Sequence, residues 1–116
     1  MKHLIFFFII FLSVSVSVKS QILTDTTKTI FENDKFTVTE YFSTPGKDIC
    51  GLGWHSHKPH LNILLTDAEV ELTKKDEESH RFTLKAGATI WSEAETHMAI
   101  NNGTKPIKLY IVEPKD

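Results

Sequence analysis

The alternation of Phe36, Val38, Glu40 and Phe42 with Thr37, Thr39, Tyr41 and Ser43 most constrains what this chain can fold into. A period of two sends successive side chains to opposite faces of an extended strand, and a helix cannot accommodate it. The signature returns at Ile107, Leu109 and Ile111, and no stripe at helical spacing lies between. Turn-forming clusters punctuate the chain at 32–34, 44–48, 67–68, 74–78 and 85–87. Extended segments are expected between them, over 22–31, 60–66, 69–73, 81–84, 89–91 and 96–100. Asn101-Asn102-Gly103 is the strongest hairpin signal in the chain. Roughly eight to ten short strands at even spacing predict an all-β antiparallel sandwich or barrel.

The N-terminus is different. Met1-Lys2-His3 is a short basic start, and 4–18 is apolar except for Ser13, Ser15 and Ser17. That run is shorter than the roughly 20 residues a spanning helix needs. Val18-Lys19-Ser20 places small residues at the two positions that matter before a cut. The pattern predicts a secretory signal peptide over 1–20, cleaved between Ser20 and Gln21, and a single domain over 21–116. The expectation is an exported protein, periplasmic or secreted, with no stable membrane anchor after cleavage. Removing Lys2 and Lys19 from 13 basic residues leaves 11 against 15 acidic ones, a net charge of −4. No basic stripe stands out, which argues against nucleic acid as a partner. Cys50 is the only cysteine, so no internal disulfide staples the domain. It is either a buried small hydrophobe or a free thiol beside a site.

Chemistry concentrates in Gly53-Trp54-His55-Ser56-His57-Lys58-Pro59-His60, which holds three of the six histidines. His55 and His57 are two apart, so an extended segment aims both imidazoles the same way, a common start of a metal site. Pro59 predicts a bulge or kink before His60. Beyond it, His60, Asn62, Leu64 and Thr66 share one face, and Leu61, Ile63 and Leu65 the other. His97 stands alone on a later predicted strand.

These residues resemble the cupins, small jelly-roll β-barrels with two short motifs. His55-Ser56-His57 matches the histidine pair of the first motif. Gly87, the strand to Trp91, His97 and Asn101 match the second, with Glu93 and Glu95 where Pro and Gly are often found. The resemblance runs from about Phe36 to Glu113. It departs at the family's glutamate ligand, where no acid stands: Leu61 and Asn62 occupy the usual spacings, and Asp67 replaces the turn glycine. The run HSHKPH resembles a subgroup of single-domain cupins with an HxHxxH pattern.

The resemblance implies a jelly-roll barrel whose two motifs come from facing strands lining one mouth. It implies a divalent transition metal (Zn, Fe, Mn, Ni or Cu) held by His55, His57 and His97, with His60 or Asn62 as the fourth inward group. Without a carboxylate ligand the metal's charge is uncompensated, which strengthens Lewis acidity and leaves room for an anionic substrate. The activities implied are those of an oxygenase, isomerase or lyase on a small molecule. The alternatives are a non-catalytic small-ligand-binding module and an interaction domain that forms homodimers through sheet edges. Trp54, Trp91, Tyr41 and Met98 are either core residues or the lining of an apolar pocket. Glu93 and Glu95 are exposed turn residues, a general base, or partners that orient a histidine. Asn102-Gly103-Thr104 matches a glycosylation sequon.

Overall fold

A computed structural model describes residues 24–116. The expected signal peptide and its cleavage point lie outside the described residues. Within them run β1 (Thr26–Glu32), β2 (Phe36–Ser43), β3 (His55–His57), β4 (His60–Leu64), β5 (Ala68–Lys74), β6 (His80–Leu84), β7 (Thr89–Ser92), β8 (Glu95–Asn101) and β9 (Ile107–Pro114). They form a five-stranded sheet in the order β1-β2-β9-β4-β7 and a four-stranded sheet in the order β3-β8-β5-β6. Every ladder is antiparallel. The expected all-β jelly roll is therefore present.

The alternation seen in the sequence sets the two faces. On β9, Ile107, Leu109 and Ile111 are buried, and they meet Tyr41, Leu64, Ala68 and Ala99 in the core between the sheets. The intervening residues of the five-stranded sheet point away from that core. Strand register then aligns Phe31, Val38, Val112, Leu61 and Trp91 in one row across all five strands. An antiparallel sheet with one solvated face normally carries polar residues there. Here the outer face carries a band of large apolar side chains, with Phe31 51% and Trp91 50% exposed at its ends.

Two connections differ from the local expectation. The chain does not bulge within a strand at Pro59. It leaves β3 in the four-stranded sheet and enters β4 in the five-stranded sheet. Proline suits that corner because it donates no ladder hydrogen bond. The expected hairpin at Asn101-Asn102-Gly103 is also absent, because β8 and β9 belong to different sheets. A two-residue hairpin of this type needs positive φ, and neither Asn102 nor Gly103 adopts it. Instead the fully buried Asn101 side chain holds an arch. Its amide donates to the carbonyls of Ser43 (3.1 Å) and Lys105 (2.9 Å), and its oxygen accepts from the Gly103 amide (3.1 Å).

Candidate metal centre

Four imidazoles meet at one end of the core. His55 and His57 come from β3, and His97 from β8, where it lies directly opposite His55 in the ladder. The two histidine motifs thus sit on neighbouring strands of one sheet, not on facing strands as expected. The facing sheet supplies His60, the first residue of β4, which is 1% exposed. Ring centroids lie 4.5 Å apart for His55–His57, 4.8 Å for His55–His97, 4.7 Å for His57–His60 and 5.2 Å for His57–His97. His57 thus neighbours each of the other three rings, while the donor atoms near enough to share one ion are those of Cys50, His55 and His57. Asn62 lines the same cavity as His57, His60 and His97, and its amide donates to the Ile90 carbonyl and to Ser92 Oγ on β7.

Each ring is engaged from behind. His55 Nδ1 donates to the Gly53 carbonyl at 2.7 Å, and His60 Nδ1 to the Lys58 carbonyl at 2.7 Å. His97 Nδ1 donates to Glu95 Oε1 at 2.9 Å, and His57 Nδ1 faces Glu113 Oε1 on β9 at 3.4 Å. Carbonyl and carboxylate oxygens only accept, so these partners place the proton on Nδ1 and leave Nε2 a bare lone pair. This is the arrangement that orients metal-binding histidines. Three of the four acceptors stand two residues before their histidine: the backbone carbonyls of Gly53 and Lys58 and the side chain of Glu95. Gly53 has a φ of +66°, a conformation glycine adopts without strain.

Burial favours the neutral form of His57 and His97. Burial lowers the pKa of His57, and the neighbouring His60 and His55 lower it further against the pull of Glu113. Burial likewise lowers that of His97, against Glu95. Burial would raise Glu95, but its bonds to His97 and Lys74 outweigh that and hold it below the usual carboxylate range. Its second oxygen lies 3.2 Å from Lys74 Nζ. Neutral imidazoles with bare Nε2 atoms are the form that binds a metal.

Cys50 proves to be both of the things its sequence context allowed. It is 6% exposed, and its Sγ lies 3.6 Å from His57 Nε2. Burial, with the carboxylates of Asp48 and Glu113 nearby, pushes its thiol up to about 12. Donor atoms of Cys50, His55 and His57 all lie within 4.8 Å of one another, close enough to share one ion. The donor set fits a transition metal: imidazoles suit Zn, Fe, Ni and Cu, and a thiolate strengthens the preference for softer ions. Glu113 was not singled out in the sequence, since nothing local ties it to a histidine 56 positions away.

A cavity of about 220 Å³ opens from the histidines into the space between the sheets. His57, His60, His97, Cys50 and Glu95 line one end, and aliphatic side chains line most of the rest. Trp54, Trp91, Tyr41 and Met98 do not line it. Tyr41 is in the core, while Trp54 and Trp91 are about half exposed. Glu93 accepts from Trp91 Nε1 at 3.0 Å and does not touch the histidines.

No family model matches the sequence, and no curated protein matches it. Solved structures do share its fold. A cupin domain from Bordetella pertussis Tohama I superposes with a TM-score of 0.69 at 21% identity, covering 79% of this chain and 94% of that one. An RmlC-like cupin family protein with a double-stranded β-helix fold, from Methanocaldococcus jannaschii, gives 0.64 at 15% identity, covering 84% and 85%. A polyketide cyclase from Streptomyces resistomycificus gives 0.61 at 18% identity, covering 79% and 66%. The architecture is the cupin double-stranded β-helix.

Proposed function

We propose that this protein is an exported cupin that binds one divalent transition metal through His55, His57, His60 and His97 and acts on a small molecule held beside it. One observation carries the reading. His55 Nε2 and His57 Nε2 lie 2.8 Å apart while both Nδ1 atoms are committed elsewhere. Donor atoms that close can share one ion, and with Cys50 Sγ they all lie within 4.8 Å of one another.

A bound ion would supply Lewis acidity and an acidified water. The chain's own contribution is to aim four nitrogens from two sheets, fix their tautomers and exclude bulk water with an apolar wall. Oxygenase, isomerase and lyase chemistry are all compatible with that donor set. The polyketide cyclase of similar fold shows no more than that this architecture can carry an enzyme. A non-catalytic binding module is the alternative, favoured by the commitment of Glu95 to His97 and Lys74, which leaves no uncommitted carboxylate among the described residues that line the cavity.

Elemental analysis after reconstitution tests the metal. One equivalent is expected in the wild type, and little in a protein carrying both His55→Ala and His57→Ala. Equal uptake by the two, or none by the wild type, sinks the proposal. Mass spectrometry of the exported protein should find Gln21 at its N-terminus.

The homodimer expected from the sequence finds support in the outer row of Val38, Val112 and Leu61 rather than in a sheet edge. Leu61→Lys should convert a dimer to a monomer in sedimentation velocity. A monomeric wild type removes this part of the reading.

A further inference from the structure

We infer that the cavity selects a molecule with an apolar body of about nine non-hydrogen atoms and a single oxygen-bearing head, the head directed at the histidines. The head's role rests on the metal reading above; the body's does not.

The distribution of polarity around the cavity gives the first argument. Its polar side chains are those of the histidine cluster with Cys50 and Glu95, and the pair Asn62 and Ser92, in which the Asn62 amide donates to Ser92 Oγ. Among the described residues no lysine or arginine lines it. A ligand with hydroxyls or charges along its length would bury them against Leu72, Leu84, Leu109 and Ile111 without partners. Each such group would give up its water partners without gaining a protein one. The anionic substrate expected from the sequence is thereby narrowed: an anionic group fits only at the head.

Size gives the second. A dry apolar cavity of 150 Å³ accommodates benzene, so about 220 Å³ corresponds to roughly nine non-hydrogen atoms. That admits one ring with a short substituent, or a compact aliphatic chain.

Access gives the third. β6 and β7 are the outermost strands of their sheets on the same side of the sandwich. Phe82 on β6 and Ile90 on β7 both line the cavity, yet they are 45% and 38% exposed. They form an apolar rim at a gap that no ladder closes. A ligand entering there passes only apolar surface before its head reaches His60 and His97.

The test uses four probes on metal-reconstituted and on chelator-treated protein. Fluorobenzene reports on the body alone, by fluorine NMR. Benzoate and cyclohexanecarboxylate are apolar bodies with an oxygen head, and erythronate has a similar atom count with a hydroxylated body; all three are followed by ligand-observed NMR and displacement of fluorobenzene. Fluorobenzene is expected to bind both forms. Benzoate and cyclohexanecarboxylate should bind the reconstituted protein at least ten-fold more tightly than the chelated one. Erythronate should bind at least ten-fold more weakly than benzoate. Ala99→Phe, which fills the cavity wall, should abolish fluorobenzene binding with metal content unchanged; Leu72→Phe serves if that variant does not fold.

Erythronate binding as well as benzoate, with metal present in one equivalent, overturns the inference and leaves the metal reading intact. Fluorobenzene binding in a protein that takes up no metal overturns that reading and the head's role, and supports the apolar body. Failure of fluorobenzene to bind either form overturns the inference outright.

Discussion

His55 and His57 confront each other Nε2 to Nε2 at 2.8 Å, and each ring is engaged on its far side by an acceptor. Folding therefore assembles a set of lone pairs before any ion arrives, and the folded chain binds a metal that the unfolded chain cannot hold in the same way. With free metal about a thousand-fold above the dissociation constant, binding adds about 4 kcal/mol of stability. For a domain of this size each kcal/mol moves the melting temperature by roughly 4–8 °C. Differential scanning calorimetry should show chelation lowering the melting temperature by roughly 15–30 °C on that basis. Identical melting curves with and without chelator count against the site.

Glu95 touches His97 and Lys74, and it is not among the proposed ligands. Its carboxylate fixes the His97 tautomer and increases the basicity of Nε2. Glu95→Gln retains an oxygen at that point but loses the charge, and metal affinity should fall about ten-fold or more. Glu93→Gln is the control, because Glu93 bonds only to Trp91 among these side chains. Competition titration with a chromophoric chelator measures both. Equal affinities for the two variants would show that Glu95 does not position the ring.

Much of this was legible in local chain pattern, and what was not has a common cause. His55 and His57 shared a face by spacing alone, and the i−2 acceptors at Gly53, Lys58 and Glu95 lie within the same short segments. Strand register is a tertiary property, however, and sequence period does not contain it. That is why the in-register pairing of His55 with His97, the reach of Glu113 to His57, and the outer row through Val38, Val112 and Leu61 could not be foreseen. Asn101-Asn102-Gly103 failed for a related reason. Its composition favours a tight hairpin, but the Asn101 side chain forms three hydrogen bonds across the arch, and those decide the path of the backbone. Pro59 announced a break correctly, and only the sheet on the far side turned that break into the means of placing His60 opposite His57.

Cys50 sits 3.6 Å from His57 Nε2 with its thiol pushed up to about 12, so it is protonated when no metal is bound. A divalent ion at the histidines reverses that preference, because metals displace the thiol proton. Cobalt(II)-loaded protein should then show a sulfur-to-cobalt charge-transfer band in the near ultraviolet. Cys50→Ser should lose the band while retaining one equivalent of cobalt. Superimposable spectra for the two proteins would place the thiol outside the coordination sphere.

In the metal-free protein, His57 and His97 titrate below the ordinary imidazole value, chiefly because both are buried. The unfolded chain, with imidazoles near 6.5, takes up protons first as pH falls. Stability is thus fully present above about pH 6.5 and declines as pH drops through that value toward the lower folded pKa values. Urea denaturation of chelator-treated protein should show a falling midpoint between about pH 7 and 5. His57→Gln should flatten that slope, because one of the two protons taken up on unfolding is removed. A midpoint independent of pH across this range would mean that folding leaves the His57 and His97 pKa values unshifted, against the burial argued above.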